Sequence, residues 1–449
     1  MEDAYSPFRI IKMEVDYSSA CDEKIPVAKE LAKNEKTFHE AIDVLLQVEK
    51  DARMGSDLAS TIRILIAIVE ICYEHGNWNA LNEYIVVLSR KRSQFKEAIS
   101  KMVQHCLLYL TVLPDLETKL RLIDTLRLVT EGKIYVEVER ARLTRMLAKI
   151  KEDGGDLDAA TALMAELHVE TYGTMEKREK IELILEQMRL FILKHDFDKA
   201  QILAKKISVK FFDDPQQEEL KLKYYKLKIT MDKDSSFLET SRHYQALFNC
   251  LTLDEHKKNE LIMNAVMYCV LAPYYNEQHN MMHILSENLK LKEITLFNNI
   301  LQLFTSKELI DYNGFEKGYG CELLKTAIFD QRKAVGVKHW RELKSRIIEH
   351  NIRIISYYYT RIYLGRMSEL LNISKRRCED YITKLVSSGT VSIKIDRPSD
   401  IVYFTKKKQP SDVLNDWSKS VDQFMKLVNH TAHLINKEQC LNNVLNESS

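Results

Sequence analysis

The hydrophobic positions of this chain follow three patterns in succession. The first half reads with helical spacing. Ile62, Leu65, Ile66, Val69 and Cys72 share one face of Leu58–Tyr73, and Ile181, Ile184, Leu185, Met188, Phe191 and Ile192 share one face of Ile181–Leu193. A longer repeat overlies these runs. Phe38, Trp78, Leu157, Phe197 and Phe237 are 40, 79, 40 and 40 residues apart, and Leu116 falls near the missing middle. Ala41, Ala160 and Ala200 each follow their large residue by three. The unit is a polar turn bearing Gly, Asn or Asp, a large residue anchoring the next helix, and a small residue that admits a neighbour. A period of ~40 residues fits one helix pair of a stacked solenoid.

The second pattern runs from Lys338 to Phe404. A long helical run, KHWRELKSRIIEHNIRIISYYY, is followed by RIYLGRMSELLNIS, a short strand-like run into a short helix. SKRRCEDYITKLVSS reads as a further helix, capped by Ser374 and stopped by Gly389. Two alternating runs, Val391–Ile395 and Ile401–Phe404, flank a turn at Asp396–Asp400. This order predicts a winged helix ending in a two-stranded hairpin. The third pattern is a long helix, Ser411–Leu445. Leu414, Val421, Val428 and Ile435 form one heptad row, and Trp417 and Phe424 form the next, which fails at Thr431 and Glu438. Such a seam wants a partner helix.

The remaining stretches read as irregular. Residues 1–30, with Pro7 and Pro26, are expected to be a loosely held tail, and 311–336, with four of the twelve glycines, a loop. The expected division is a solenoid over 31–245, a second domain over 246–408 whose winged helix is 338–408, and a terminal helix over 409–449.

Composition narrows the function classes. Only 12 Gly and 7 Pro in 449 residues suit a mainly α protein. Net charge is +1, yet Lys338–Lys408 holds 16 basic and 7 acidic residues, so this module is basic on a mildly acidic body. The eight Cys are dispersed without a C-x-x-C pair, which suits a reducing compartment and signals no zinc ribbon or redox site. Glu2, Asp3 and Glu14 interrupt the N-terminus, so no signal segment is expected. The longest uncharged run, Leu261–Asn276, is too short to span a membrane and reads as a buried helix. Cytoplasm and nucleus are the expected locations.

No residue set calls for catalysis, a cofactor or a metal. His39-Glu40 lacks the second His of a zinc-protease helix, the Gly314/Gly318/Gly320 cluster lacks the Lys-Ser/Thr of a phosphate loop, and no G-x-S-x-G occurs. Lys375-Arg376-Arg377 opens the second winged-helix helix and could read a DNA major groove. Glu379 and Asp380 blunt that face, which favours a protein-docking module. In the hairpin, Val391, Ile393 and Ile395 alternate with Ser392 and Lys394. The strand edge either templates a neighbour's strand or is kept single by Lys394.

Helical repeats, winged helix and terminal helix, in that order, resemble the PCI family, scaffold subunits shared by the proteasome lid, the COP9 signalosome and a translation initiation factor. The runs Glu131–Arg142, Val169–Glu176, Ile184–Met188, Arg346–Arg353 and Leu414–Trp417 are similar to lid members in particular. The resemblance implies a right-handed α-solenoid of TPR-like helix pairs, a winged-helix PCI module and a long C-terminal helix. It implies a non-catalytic scaffold in a hetero-oligomer. Winged helices would pair edge to edge through Val391, Ile393 and Ile395. Terminal helices would bundle through Leu414, Trp417, Val421, Phe424, Val428 and Ile435. Implied partners are other PCI lid subunits, the lid deubiquitinase subunit, the ATPase ring and the core particle. A signalosome scaffold, or a nucleic-acid-binding regulator using Lys375, Arg376 and Arg377, is the alternative.

Overall fold

The computed structural model describes residues 15–32, 37–113, 115–233, 235–250, 254–404 and 410–447. Contacts divide the chain into two units at Ser235/Ser236. The first unit holds α1 (Ser18–Leu31), α2 (Phe38–Met54), α3 (Leu58–Glu74), α4 (Trp78–Arg90), α5 (Lys96–Val112) and α6 (Leu116–Thr130). It continues with α7 (Glu137–Asp153), α8 (Leu157–Ala165), α9 (Lys177–Leu193), α10 (Phe197–Lys206) and α11 (Glu218–Asp232). Helices pack on the next helix and on the next but one, as α3 does on α4 and α5, which is the packing of a helical-pair solenoid.

One local device repeats along this unit. Ser56, Gly76, Gly155 and His195 all take a left-handed conformation, with φ of 57°, 65°, 84° and 63°. The following residue, Asp57, Asn77, Asp156 or Asp196, sends its N–H back five residues to close the previous helix. That same residue is the N-cap of the next helix, and Asp57 and Asn77 accept from Ser60 N and Ala80 N at 3.1 and 3.2 Å. The anchors Phe38, Trp78, Leu116, Leu157 and Phe197 are each the first residue of a helix, and Ala41, Ala160 and Ala200 are fully buried.

Ion pairs join helices about one period apart. Arg142 grips Glu179 through two bonds of 2.7 and 2.9 Å, and Arg189 grips Glu152 at 2.6 and 2.7 Å. Glu49 is fully buried and accepts from Arg53, Lys91 and Gln94 at 3.2, 2.8 and 3.0 Å. Partly exposed pairs of this kind orient more than they stabilise, whereas Glu49 must keep its partners.

The expected loose tail is corrected over its described part. Residues 18–31 form α1 despite Pro26, and Cys21 and Ala28 are fully buried. Asp57 also accepts from Tyr17 N at 3.0 Å, so the cap of α3 fastens the start of α1. The Tyr17 ring lies over Gly55, where a Cβ would collide with it.

The second unit begins with α12 (Phe237–Phe248), α13 (Glu255–Leu271), α14 (Asn276–Ser286), α15 (Leu289–Glu293), α16 (Thr295–Thr305) and α17 (Tyr312–Leu323). Then come α18 (Ala334–Tyr358), β1 (Arg361–Tyr363), α19 (Leu364–Leu371), α20 (Lys375–Ser387), β2 (Ile393–Asp396), β3 (Ile401–Phe404) and α21 (Pro410–Glu447). The long uncharged run ends α13, whose residues 265–271 are all buried among α12, α14, α16 and α18. The expected loop at 311–336 is largely helical. Asp311 caps α17 by accepting from Asn313 N and Gly314 N, and its three glycines lie inside the helix. The hairpin is also corrected: Arg361–Tyr363 adds a third antiparallel strand, in the order β1-β3-β2.

Helix α18 belongs to two cores. Leu343 and Ile347 pack with α13, while Ile348, Ile352 and Ile355 pack with α19, α20 and the sheet. Asn351 clamps the backbone of Ile310 through two 2.9 Å bonds, and Arg346 Nε donates to the Leu271 carbonyl at 3.1 Å. Arg353 stacks on Tyr274 at 3.5 Å from the ring centre and points Nη2 at His350 Nδ1, 3.4 Å away. His350 Nε2 then donates to the Glu308 carbonyl at 3.2 Å. Burial, reinforced by Arg353, holds His350 down to about 4.

Gly336 and His350 on α18, with Gly320 on α17, give testable expectations. A Cβ on Gly336 would meet the Asp330 backbone, its carbonyl carbon at 2.7 Å and its nitrogen at 2.9 Å. Gly336→Ala should lower unfolding stability by about 1–3 kcal/mol. Gly320→Ala, whose Cβ meets nothing closer than 3.7 Å, should raise it by about 0.5–1 kcal/mol; denaturant titration measures both. The unfolded chain protonates His350 near pH 6.5, which the folded chain resists until about 4. Its contribution is complete above that window and lost on acidification through it. His350→Gln should flatten the pH dependence of the unfolding midpoint there.

Candidate assembly interface

The winged-helix sheet ends in an open strand. β2 has β3 on one side and no strand on the other among the described residues. Phe404 N–H donates to the Thr360 carbonyl at 2.9 Å and Leu364 N–H to the Asp400 carbonyl at 2.8 Å, so even-numbered β3 residues face β1. By antiparallel alternation Ile401 and Tyr403 face β2 and bond Asp396 and Lys394, their register partners. The N–H and C=O groups of Ile393 and Ile395 therefore point to the open side.

Their side chains do the opposite. Ile393 is buried and Ile395 half-buried in the core shared by α18, α19 and α20. These two positions thus serve the core with the side chain and the edge with the backbone. Val391 packs on the same core but precedes the strand, and its N–H returns to the Leu385 carbonyl at 3.4 Å. Gly389, with φ 73°, is still turning the chain out of α20 there, which is why the strand begins two residues later than the alternation predicts.

Helix α21 runs for 38 residues, and every side chain described on it is exposed. Leu414, Trp417, Val421, Phe424, Val428 and Ile435 all lie on it, between 43% and 67% exposed. Leu427, Leu434 and Leu441 are also exposed and were missed. They follow the same heptad spacing, one position ahead of the Val428 and Ile435 row. The apolar face therefore turns: it pairs the 414/421 row with 417/424 in the first half, and the 428/435 row with 427/434/441 in the second. Different neighbours along its length suit such a helix better than one long partner.

The basic run at the start of α20 is partly neutralised. Lys375 pairs with Asp400 in the hairpin turn at 2.7 Å, and Glu379 lies 3.7 Å from Arg397. Arg376 and Arg377 are exposed. In the first unit, a groove of about 1030 Å³ crosses α5, α7 and α9. Its Arg142 and Arg189 are held by glutamates across the helix gap, with no nucleophile set against a base. Burial pushes the thiols of Cys72, Cys106 and Cys269 up to about 12 and Cys378 to about 11, which makes them inert. Among the described residues no His, Cys, Asp and Glu gather to hold a metal, and no helix is long and apolar enough to cross a membrane.

Comparison with known proteins matches each region in turn. Residues 40–256 match the PSMD12/CSN4 N-terminal family, 298–406 the PCI domain, and 411–443 the 26S proteasome regulatory subunit RPN5 C-terminal domain. The 26S proteasome regulatory subunit RPN5 of Saccharomyces cerevisiae is 40% identical over 96% of this chain and 97% of its own. The 26S proteasome non-ATPase regulatory subunit 12 of Dictyostelium discoideum is 37% identical over 99% of both. COP9 signalosome complex subunit 4 of Caenorhabditis elegans is 21% identical over 69% of this chain, a distant relation. Helical-pair unit, winged helix and terminal helix are all accounted for by the same relatives, and the chain belongs to the family of 26S proteasome regulatory subunits RPN5 and non-ATPase subunit 12.

Proposed function

We propose that this chain is a non-catalytic scaffold subunit of the 26S proteasome lid, working in ubiquitin-dependent protein degradation in cytoplasm and nucleus. The observation that carries this reading is α21, 38 residues with a broad apolar face and no described side chain buried. A helix of that kind stays in water only at a cost that partner helices remove. Its match to an RPN5 C-terminal domain supports the 26S proteasome as the assembly that supplies them. The open edge at Ile393 and Ile395 is the second contact, an added strand from a neighbouring PCI subunit. Other lid subunits, the lid deubiquitinase, the ATPase ring and the core particle are the partners this role requires. No enzymatic step is assigned to the chain.

Two tests address the two contacts. Deleting residues 410–449 should leave the remaining helices folded by circular dichroism while the truncated chain fails to enter the lid on native gels. Normal incorporation would refute the bundle role. Ile395→Pro removes an outward N–H, and Ile395→Ala controls for the lost side chain. The Pro variant should bind neighbouring lid subunits about tenfold more weakly than the Ala variant. Equal binding by the two would remove edge pairing from the account.

A further inference from the structure

Where α18 and α20 diverge they leave a hollow of about 590 Å³. Four cations open onto it, Arg341 and Lys344 from α18 and Arg377 and Lys384 from α20, against one carboxylate, Asp380. None of the five enters an ion pair among the described residues. Lys344 lies 4.3 Å over the Tyr312 ring, and Lys384 lies 5.5 Å over the Tyr381 ring. Ser345 Oγ and Tyr381 OH, 3.1 Å apart, link the two helices at the same place.

The surroundings are different. Arg346 is held by Glu342 and Glu349, Arg366 by Glu369, Lys375 by Asp400, and Arg397 lies beside Glu379. Four unneutralised cations thus share one concavity, while Arg346, Arg366 and Lys375 around it are paired. A cleft lined by one sign concentrates its field on a counter-charge. A single carboxylate offers one charge and two oxygens. A phosphate monoester offers close to two charges and three strong acceptors, which matches two guanidinium forks.

We propose that this hollow binds a phosphorylated side chain on a segment of a partner protein, with Arg341 and Arg377 as its principal partners. Nucleic acid fits less well. A duplex backbone needs a continuous basic track, whereas Arg346, Arg366 and Lys375 nearby are already paired and Asp380 sits within the hollow. The site is separate from β2 and α21, so it stands or falls independently of their assembly role.

The test immobilises the full chain. It presents a degenerate phosphoserine peptide library, the same library unphosphorylated, duplex DNA and inorganic phosphate. Phosphorylated peptides should be retained about tenfold over unphosphorylated ones. Arg341→Ala with Arg377→Ala should abolish the preference. Both side chains are exposed, so the double variant should keep its helix content. Arg341→Lys with Arg377→Lys, which keeps the charge, should retain part of the preference, and Arg366→Ala outside the hollow all of it. Equal retention of both libraries, a preference that survives the double Ala variant, stronger capture of duplex DNA, or binding of inorganic phosphate only would each overturn the proposal.

Discussion

A stack of helix pairs buries its apolar stripes only if every turn returns the chain at a similar angle. At four of the turns here that constraint is met by a two-residue device. One residue enters the left-handed region and closes the outgoing helix, and the next caps the incoming one. The large residue that follows then opens its helix, and at Leu157 and Phe197 the alanine three later is fully buried. His195 fills the left-handed position without being glycine, so the geometry is imposed by packing on both sides rather than by one permissive residue.

The second unit solves a different problem. A winged helix is small, with a three-stranded sheet and two short helices, and its core alone is modest. Continuing α18 from one core into the next gives it a rigid floor. The polar residues along that helix are spent on fastening: Asn351 on Ile310, His350 on Glu308, Arg346 on Leu271. With the module held from behind, the sheet can leave β2 uncovered.

Much of this was legible in the residues. The spacing of Phe38, Trp78, Leu116, Leu157, Phe197 and Phe237 located six helix starts, because an anchor after a turn is a local signal. The failures share a cause as well. Residues 18–31 are polar and contain Pro26, and α1 is held by Cys21, Ala28 and a cap borrowed from Asp57, a contact forty residues away. The glycines of α17 mimic a loop, yet the Asp311 cap and the buried Phe315 and Leu323 hold the segment helical against their propensity. Arg361–Tyr363 reads as strand-like in the sequence, but that it pairs with β3 as a third strand of the sheet is a contact forty residues away. At the candidate interface, the edge residues were visible from alternation, but their division into core-facing side chains and outward backbone needs the sheet register. Leu427, Leu434 and Leu441 lie off the two heptad rows that Leu414 and Trp417 define, so those rows alone do not reveal them.

That last feature has a mechanical result. An uninterrupted two-row zipper can slide by seven residues with little change in contacts, so its alignment is ambiguous. On α21 the sticky stripe changes rows near Leu427, and a slip of seven toward the C-terminus sets Thr431 where Phe424 should sit. The bend in the stripe would act as a notch on a ruler for any helix laid against it, allowing one resting place along the rod and not several.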